Sequence, residues 1–233
     1  MSGSLATKPA RMVDGGEAIE LVGPPPRFVG RGGEKLDAGL ERFGVDVEGL
    51  RCLDAGASTG GFTDCLLQRG ASSVVAVDVG YGQLHERLRS DPRVHNIERT
   101  NIRSLTTEEI DGPVDVLVAD LSFISLRLVL PSLVSLARPG SDLVLLVKPQ
   151  FEAGRAEAAR GRGVITDDAI WRRVLGEVRA AARSQGAAMM EVMPSPITGA
   201  EGNVEFLVHC RVGATESLDD AALDAAVAAA TRG

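Results

Sequence analysis

Residues 51–67 read RCLDAGASTGGFTDCLL, and the rest of the chain is organised around this stretch. A short apolar run ends in Asp54, a turn rich in glycine follows, and the next residues have the apolar spacing of a helix. Strand, tight turn and helix in this order form the first unit of a nucleotide-binding α/β sheet. Glycine lets the backbone turn sharply and approach a ligand, and the free N–H groups at the helix start attract an anionic group.

A second predicted strand, Ser73–Asp78, ends in an acid about 20 residues after the first glycine of the turn, where an acidic side chain binds ribose hydroxyls. The turn lacks the G-x-G-x-x-G pattern of dinucleotide-binding proteins, and its D-x-G-x-x-x-G-G-F pattern favours S-adenosylmethionine instead. The alternative is a turn that only packs a helix onto the sheet. We predict that the cofactor-binding residues are Asp54, Gly56, Ser58, Thr59, Gly60, Gly61, Phe62, Asp78, Val79, Asn101, Ile102 and Asp120.

Strands and helices alternate along the remainder of the chain, and a hairpin-like pair of strands closes it. We therefore predict an α/β fold, a Rossmann-like class I methyltransferase with a seven-stranded, mostly parallel sheet and an antiparallel last strand. The predicted later strands are Val94–Glu98, Val114–Asp120, Leu143–Val147, Ala188–Met193 and Asn203–Val212. Residues 27–233 form this domain in our prediction, and residues 1–26 precede it as an irregular segment with a Pro-Pro-Pro spacer.

Polar side chains follow several of these strands. Asp54, Asp78, Asn101, Asp120 and Lys148 all stand at predicted carboxyl ends. In an open α/β sheet the ligand site lies at that edge, so we expect the five side chains to converge. The polar, arginine-rich segment 152–166, which follows Lys148, is predicted to be a loop.

Composition excludes several classes of protein. Hydrophobic residues make up 44% of the 233 residues and aromatic residues only 3%, which indicates an aliphatic core. The sequence contains neither a signal peptide nor an apolar run of the ~18 to 20 residues that a membrane span needs. Cys52, Cys65 and Cys210 lie in predicted core elements without C-x-x-C spacing, and the histidines are scattered, so we expect no metal site and reduced thiols. We predict a cytoplasmic protein without a membrane partner.

The net charge of −7 argues against a globally basic nucleic-acid binder, but arginine is concentrated locally. A basic face on an acidic protein is compatible with RNA binding. Ordinary solvated arginines on a helix are the alternative for the group at 172–183. The predicted RNA-binding residues are Arg27, Arg31, Arg155, Arg160 and Arg162.

Lysine is rare in this chain, which contains only Lys8, Lys35 and Lys148 among its 25 basic residues. Arginine cannot release its proton at useful pH, whereas a partly buried lysine can. Lys148 follows a buried strand, where a purely structural charge would be costly. We therefore expect Lys148 to take part in the chemistry.

Several long motifs resemble the TlyA family, also called hemolysin A, whose members are rRNA cytidine-2′-O-methyltransferases with an FtsJ-like catalytic domain. The matching stretches are RGGEKL from Arg31, LDAGASTGGFTDCLL from Leu53, VDVGYGQL from Val77, ERTNIR from Glu98, ADLSFISL from Ala119, LVKPQFEAGR from Leu146 and SPI-x-G-x-EGNVEF from Ser195. The resemblance implies ribosomal RNA or ribosomal subunits of either size as the partner. It also implies an FtsJ-like catalytic set, which falls on Lys35, Asp120, Lys148 and Glu205.

Methyl transfer to a ribose hydroxyl needs alignment with the sulfonium and a group that handles the hydroxyl proton. We expect Lys148 to act as the base or to orient the hydroxyl, with Asp120 and Glu205 as its positioning groups and Lys35 as a substrate anchor. The alternative for Lys35 and Glu205 is a surface ion pair.

The sequence departs from the family pattern at its start. Members usually begin with a small RNA-binding module, and here Leu5–Val22 resembles only the tail of that module. We interpret this as a truncated chain, a misplaced start codon or natural absence of the module, and Phe28 stands where relatives often have tryptophan. A methyltransferase acting on a small or non-ribosomal acceptor is therefore the alternative function. A membrane-active protein, as the hemolysin name suggests, is disfavoured because it would leave the catalytic set unexplained.

Overall fold

The sheet that carries the predicted site has seven strands in the order β3-β2-β1-β4-β5-β7-β6. The computed structural model describes residues 26–154, 157, 159, 161–215 and 218–232, so the predicted segment before Pro26 lies outside the described residues. The strands are β1 (Arg51–Ala55), β2 (Ser73–Val77), β3 (Val94–Ile97), β4 (Val114–Ala119), β5 (Ala137–Val147), β6 (Ala187–Pro194) and β7 (Phe206–Val212). Strands β1 to β5 pair in parallel and β7 runs antiparallel to both of its neighbours, which confirms the predicted fold class.

Helices cover both faces of the sheet. They are α1 (Gly32–Phe43), α2 (Gly61–Gln68), α3 (Glu86–Arg89), α4 (Leu126–Leu136), α5 (Pro149–Glu152), α6 (Asp168–Ser184) and α7 (Asp220–Thr231), with a 3₁₀ turn at Ile102–Ser104. One buried cluster lies beneath α1 and α2, and the other beneath α4, α6 and α7. Alternate residues of the strands supply both clusters, because successive side chains of a strand point to opposite faces.

Several strand boundaries differ from the sequence prediction; β7, for example, begins at Phe206 and not at Asn203, so Glu205 precedes the strand. Strand β5 begins at Ala137, directly after α4, so Pro139 and Gly140 lie in its irregular first half. The segment predicted as a loop from residue 152 begins with the last residue of α5. Glu152 is buried there and accepts hydrogen bonds from the start of α4, so this carboxylate belongs to the packed body of the protein.

Candidate active site

Strand register brings the predicted catalytic residues to one edge of the sheet. Asp120 follows β4, and its N–H donates to the carbonyl of Ala55 at the end of β1. Val147 of β5 pairs with Phe206 of β7 in antiparallel register. Lys148 follows Val147 and Glu205 precedes Phe206. The N-terminal end of the antiparallel strand β7 therefore lies at the same edge of the sheet as the C-terminal ends of the parallel strands.

Lys148 contacts the loop that follows β4. Its Nζ lies 2.6 Å from Asp120 Oδ1 and donates a hydrogen bond of 2.9 Å to Ser122 Oγ. The lysine side chain is largely buried, and the aspartate side chain is less so. This arrangement agrees with the expectation that Asp120 positions Lys148, and it adds Ser122, which sequence reasoning missed.

Glu205 contacts Lys35 in this structure, and not Lys148 as we expected. Lys35 Nζ lies 2.5 Å from Glu205 Oε2, and the two residues are only 6% and 3% exposed. The pair is therefore buried, which also excludes the surface ion pair considered as the alternative. Lys35 reaches this point because α1 starts beside the site: a Cβ on Gly32 would lie 3.8 Å from Asp120 Oδ2.

At the glycine positions of the turn there is no room for a side chain. A Cβ on Gly56 would lie 2.5 Å from the carbonyl oxygen of Asp120, and one on Gly61 would lie 2.9 Å from the backbone nitrogen of Gly33. Gly56 and Gly60 also have positive φ angles of 86° and 97°. Ser58 has a φ of 48°, unusual for a residue with a Cβ. The turn is thus a backbone-lined cradle that presses against the loop after β4 and against the start of α1.

Asp78 connects the end of β2 to this cradle. Its Oδ2 accepts the N–H of Ser58 at 2.8 Å, and its Oδ1 accepts the N–H of Gly80 at 2.7 Å. Each carboxylate oxygen has a second lone pair, so both can still accept a hydrogen bond from a ligand. Val79, the next residue, is 71% exposed and offers an apolar surface beside the acid.

Asp54 lies fully buried beneath the cradle. Its Oδ2 accepts a hydrogen bond of 2.7 Å from Thr63 Oγ1, and its Oδ1 has no partner within the described residues. Burial raises the pKa of this carboxyl to about 7, against the lowering effect of the Thr63 hydrogen bond. An unpartnered buried oxygen is costly, so Asp54 Oδ1 is available to a hydrogen-bond donor, either an ordered water or a group of a ligand.

The other predicted cofactor residues have mainly structural contacts. Asn101 accepts the N–H of Arg103 and caps the 3₁₀ turn, and Ile102 and Phe62 are buried in the two core clusters. The carbonyl of Thr59 accepts the N–H of His85 at 3.2 Å.

An exposed aromatic ring packs against Phe151, which in turn lies near Lys148. Phe123 is 91% exposed, in a chain with few aromatic residues, and it has a φ of 64°. Its ring lies 5.2 Å from that of Phe151, and Lys148 Nζ lies 5.9 Å from the Phe151 ring centre. Phe123 is not among the site residues predicted from the sequence, although the scarcity of aromatic residues is a signal by which it could have been identified.

Three of the five predicted RNA-binding arginines lie within the described residues. The guanidinium of Arg27 pairs with Asp37 and stacks on the ring of Phe28. Arg31 and Arg162 are exposed. Arg155 and Arg160 lie outside the described residues. On α6, Arg172 and Arg179 form ion pairs with Asp220.

Neither a metal-binding cluster nor a membrane-spanning helix is found in the part of the chain that the structure describes. No group of three or more histidine, cysteine or acidic side chains there is arranged to hold a metal ion. Within residues 26–232, as far as they are described, none of the helices combines the length and apolarity needed to cross a membrane. The three cysteines are buried free thiols.

The strand order, the glycine cradle with an acid after β2, and the lysine–aspartate pair at the same edge define a class I methyltransferase. The profile of the FtsJ-like methyltransferase family matches residues 28–212. The chain belongs to this family and, within it, to the TlyA group.

Individual relatives agree. The chain is 49% identical over 97% of its length, and 85% of the relative, to the 16S/23S rRNA (cytidine-2′-O)-methyltransferase TlyA of Mycobacterium tuberculosis. It is 46% identical to the putative rRNA methyltransferase YqxC of Bacillus subtilis, over 87% of this chain and 72% of that one. Among solved structures, a putative hemolysin from Streptococcus thermophilus superposes with a TM-score of 0.86 at 41% identity, covering 90% of this chain and 76% of that one. The family resemblance seen in the sequence is thereby confirmed.

Proposed function

We propose that this chain transfers a methyl group from S-adenosylmethionine to the 2′-hydroxyl of a cytidine in ribosomal RNA, in the cytoplasm. The observation that carries the proposal is the Lys148–Asp120 contact of 2.6 Å beside the glycine cradle. It supports the proposal because it brings the lysine to the loop that packs against the glycine-rich turn. The name of the 49% identical relative supports the choice of acceptor.

The cradle residues suit S-adenosylmethionine, which supplies an electrophilic methyl group when bound. The cradle backbone from Gly56 to Gly61 receives the amino-acid end in this proposal, with Asp54 beneath it. Asp78 accepts from the ribose hydroxyls, and the exposed side chain of Val79 packs against the adenine. The collisions that a Cβ would make at Gly56 and Gly61 support this use of the turn.

Lys148 handles the acceptor hydroxyl. In this proposal Lys148 Nζ binds the ribose hydroxyl and, once it has released its own proton, takes the hydroxyl proton as the oxygen is methylated. Asp120 and Ser122 hold the amine in position and stabilise the ammonium that results. Arginine could not replace it, because a guanidinium keeps its proton.

Lys35 and Glu205 form the second half of the catalytic set. Each is buried and neutralises the charge of the other, so the pair has a fixed position beside the site. In this proposal Glu205 orients Lys35, and Lys35 anchors the acceptor strand.

Phe123 provides a platform for the base of the acceptor nucleotide. Stacking on an aromatic side chain is how proteins hold bases that are turned out of a strand, and it contributes about 1 to 3 kcal/mol per base. The ring is almost fully exposed and lies beside Phe151, close to Lys148. Arg31 and Arg162 are placed to contact phosphates, which contributes affinity without reading the sequence. Arg155 and Arg160 remain predicted contacts of the same kind.

The proposal is tested by offering the purified protein labelled S-adenosylmethionine together with small subunits, large subunits, protein-free rRNA or a small-molecule extract. We expect label in ribosomal RNA, and nuclease digestion with mass spectrometry should identify it as 2′-O-methylcytidine. Label that enters only small molecules would instead support the alternative acceptor. A protein that binds S-adenosylmethionine but labels none of the four would contradict the proposal.

A further inference from the structure

The two loops that carry Asp120 and Lys148 are joined at three levels. At the catalytic end, Lys148 Nζ contacts Asp120 and Ser122. In the middle, the rings of Phe123 and Phe151 are 5.2 Å apart. The third junction, at the far end, involves a carboxylate to which neither the sequence analysis nor the proposed chemistry assigned a role.

That carboxylate is Glu152, the last residue of α5, which is only 3% exposed. Its Oε1 accepts the backbone N–H of Leu126 at 2.6 Å, and its Oε2 accepts the hydroxyl of Ser125 at 2.5 Å. Ser125 and Leu126 are the N-cap and first residue of α4. A carboxylate at a helix N-terminus is stabilised by the free N–H groups and by the helix dipole.

These contacts close a ring through the catalytic pair. The chain leaves Asp120, reaches Ser125, crosses to Glu152 through hydrogen bonds, returns along α5 to Lys148, and crosses back to Asp120. At most four residues lie between Asp120 and Ser125 or between Lys148 and Glu152. A displacement of the Glu152 contacts is therefore transmitted over a short stretch of chain to Asp120 and Lys148. Arg127 adds to the junction. Its Nε lies 3.3 Å from Glu152 Oε2 and its Nη2 donates to the Glu152 carbonyl at 2.8 Å, while its Nη1 contacts Glu177 at 2.6 Å.

We propose that Glu152 is a positioning residue for methyl transfer: by binding the N-terminus of α4 it sets the separation of the Asp120 and Lys148 loops. The inference rests on the proposed function, since it concerns the same catalytic pair. Glu152 acts through the two loops and touches neither acceptor nor cofactor. The glycine cradle meets the loop after β4 at the Asp120 carbonyl, whereas the junction holds the far end of that loop at Ser125, so we expect the junction to affect cofactor binding less than catalysis.

The test compares Glu152→Ala, Glu152→Gln and Glu177→Ala with the unaltered protein. We expect Glu152→Ala to lower kcat roughly 10- to 100-fold, the scale on which a misplaced catalytic group lowers a rate. The dissociation constant of S-adenosylmethionine, measured by calorimetry, should rise severalfold at most, and by less than kcat falls, since of its proposed binding residues only Asp120 lies on the affected loop. Glu152→Gln keeps the shape and can still bond to both Ser125 and Leu126, so it should restore most of kcat. Glu177→Ala removes the other carboxylate on Arg127 and should leave kcat unchanged.

Three results would overturn the inference: a folded Glu152→Ala variant with unchanged kcat, equal losses in Glu152→Ala and Glu177→Ala, or equal losses of kcat and cofactor affinity. If Glu152→Ala does not fold, Ser125→Ala removes one contact of the junction and should lower kcat severalfold, and an unchanged kcat in that variant also counts against the inference. Failure of the proposed function is a separate result, because the unaltered protein would then show no methyl transfer to rRNA.

Discussion

Lys35 Nζ lies 2.5 Å from Glu205 Oε2, although the two residues are 170 positions apart in the chain. Both side chains are buried, so each charge depends on the other for compensation. The pair joins the first turn of α1 to the start of β7. In the proposed mechanism this contact therefore contributes to both stability and catalysis, and mutations can separate the two contributions.

Replacing one partner should leave an uncompensated buried charge. We expect Lys35→Met to lower the free energy of unfolding by about 3 to 5 kcal/mol. The double variant Lys35→Met with Glu205→Gln should regain most of that loss while remaining inactive, as judged by urea unfolding and by methyl transfer. Arg138→Met serves as the control, because Arg138 pairs with Asp115 near the surface and such pairs contribute less than about 1 kcal/mol. A double variant with activity would remove the pair from catalysis.

Exchanging the catalytic lysine for arginine keeps the charge and removes the ability to accept a proton. We expect Lys148→Arg to lose nearly all methyl transfer, with the calorimetric affinity for S-adenosylmethionine largely retained. Arg138→Lys, a charge-preserving exchange at a surface ion pair, should keep full activity. An active Lys148→Arg variant would show that a positive charge suffices, and the general-base role would then be abandoned.

Phe123 combines exposure with a left-handed backbone conformation that costs an L-residue about 1 to 2 kcal/mol. Phe123→Gly should therefore raise the free energy of unfolding by up to about 1 kcal/mol, after the entropy of glycine is subtracted. Affinity for the ribosomal substrate should fall by about 1 to 3 kcal/mol. Phe123→Ala is the matched control: it should show the same loss of affinity without the gain in stability. Unchanged substrate affinity in both variants would contradict the stacking role.

Asp54 should make both stability and cofactor binding depend on pH. Its pKa is raised to about 7 by burial, whereas an unfolded aspartate ionises near 4. The folded protein thus binds the extra proton between these values, and the stability of the cofactor-free protein should fall as pH rises from about 4 to 7. At pH 8, Asp54→Asn should be more stable than the unaltered protein in urea unfolding.

A cationic ligand favours the ionised carboxylate, so binding of S-adenosylmethionine near pH 6 should release a proton. Calorimetry in two buffers of different ionisation enthalpy measures that release. Asp54→Asn should abolish it and weaken binding. Equal proton release in the variant would assign the titration to another group.

Gly56 and Gly112 separate steric collision from backbone strain. Both have positive φ angles, 86° and 104°, but a Cβ on Gly112 meets no atom within 4 Å, whereas one on Gly56 would lie 2.5 Å from the Asp120 carbonyl oxygen. Gly112→Ala should cost about 1 to 2 kcal/mol of stability. Gly56→Ala should cost more and should also abolish cofactor binding, because the loop after β4 must move. Equal effects of the two variants on stability and binding would contradict a close-packed cradle.

Local patterns in the sequence were sufficient to predict the sheet and the edge at which the site lies. The end of each strand can be read from apolar periodicity, and the fold class then brings Asp120 and Lys148 together. The partner of Glu205 could not be predicted in this way. Strand register brings Glu205 close to Lys148, but its contact with Lys35 depends on where α1 packs and on the side-chain conformations of two distant residues.

Burial explains the remaining differences. Glu152 looked like a loop residue because its neighbours are polar, and only the position of the α4 N-terminus reveals its partners. The exposure of Phe123 could not be predicted, since the exposure of a ring is decided by backbone conformation and not by composition. Ile102 was predicted to bind the cofactor from its place after a strand, and it is buried in the core beneath that edge.

The antiparallel direction of β7 has a consequence for how the enzyme is made. Because Glu205 precedes this strand, the last member of the catalytic set arrives only after the whole parallel sheet has been synthesised. A nascent chain that ends before β6 already contains the cradle, Asp120 and Lys148, but its Lys35 lacks a counter-charge. The proposed catalytic set is therefore complete only when the hairpin of β6 and β7 has docked and Glu205 has paired with Lys35.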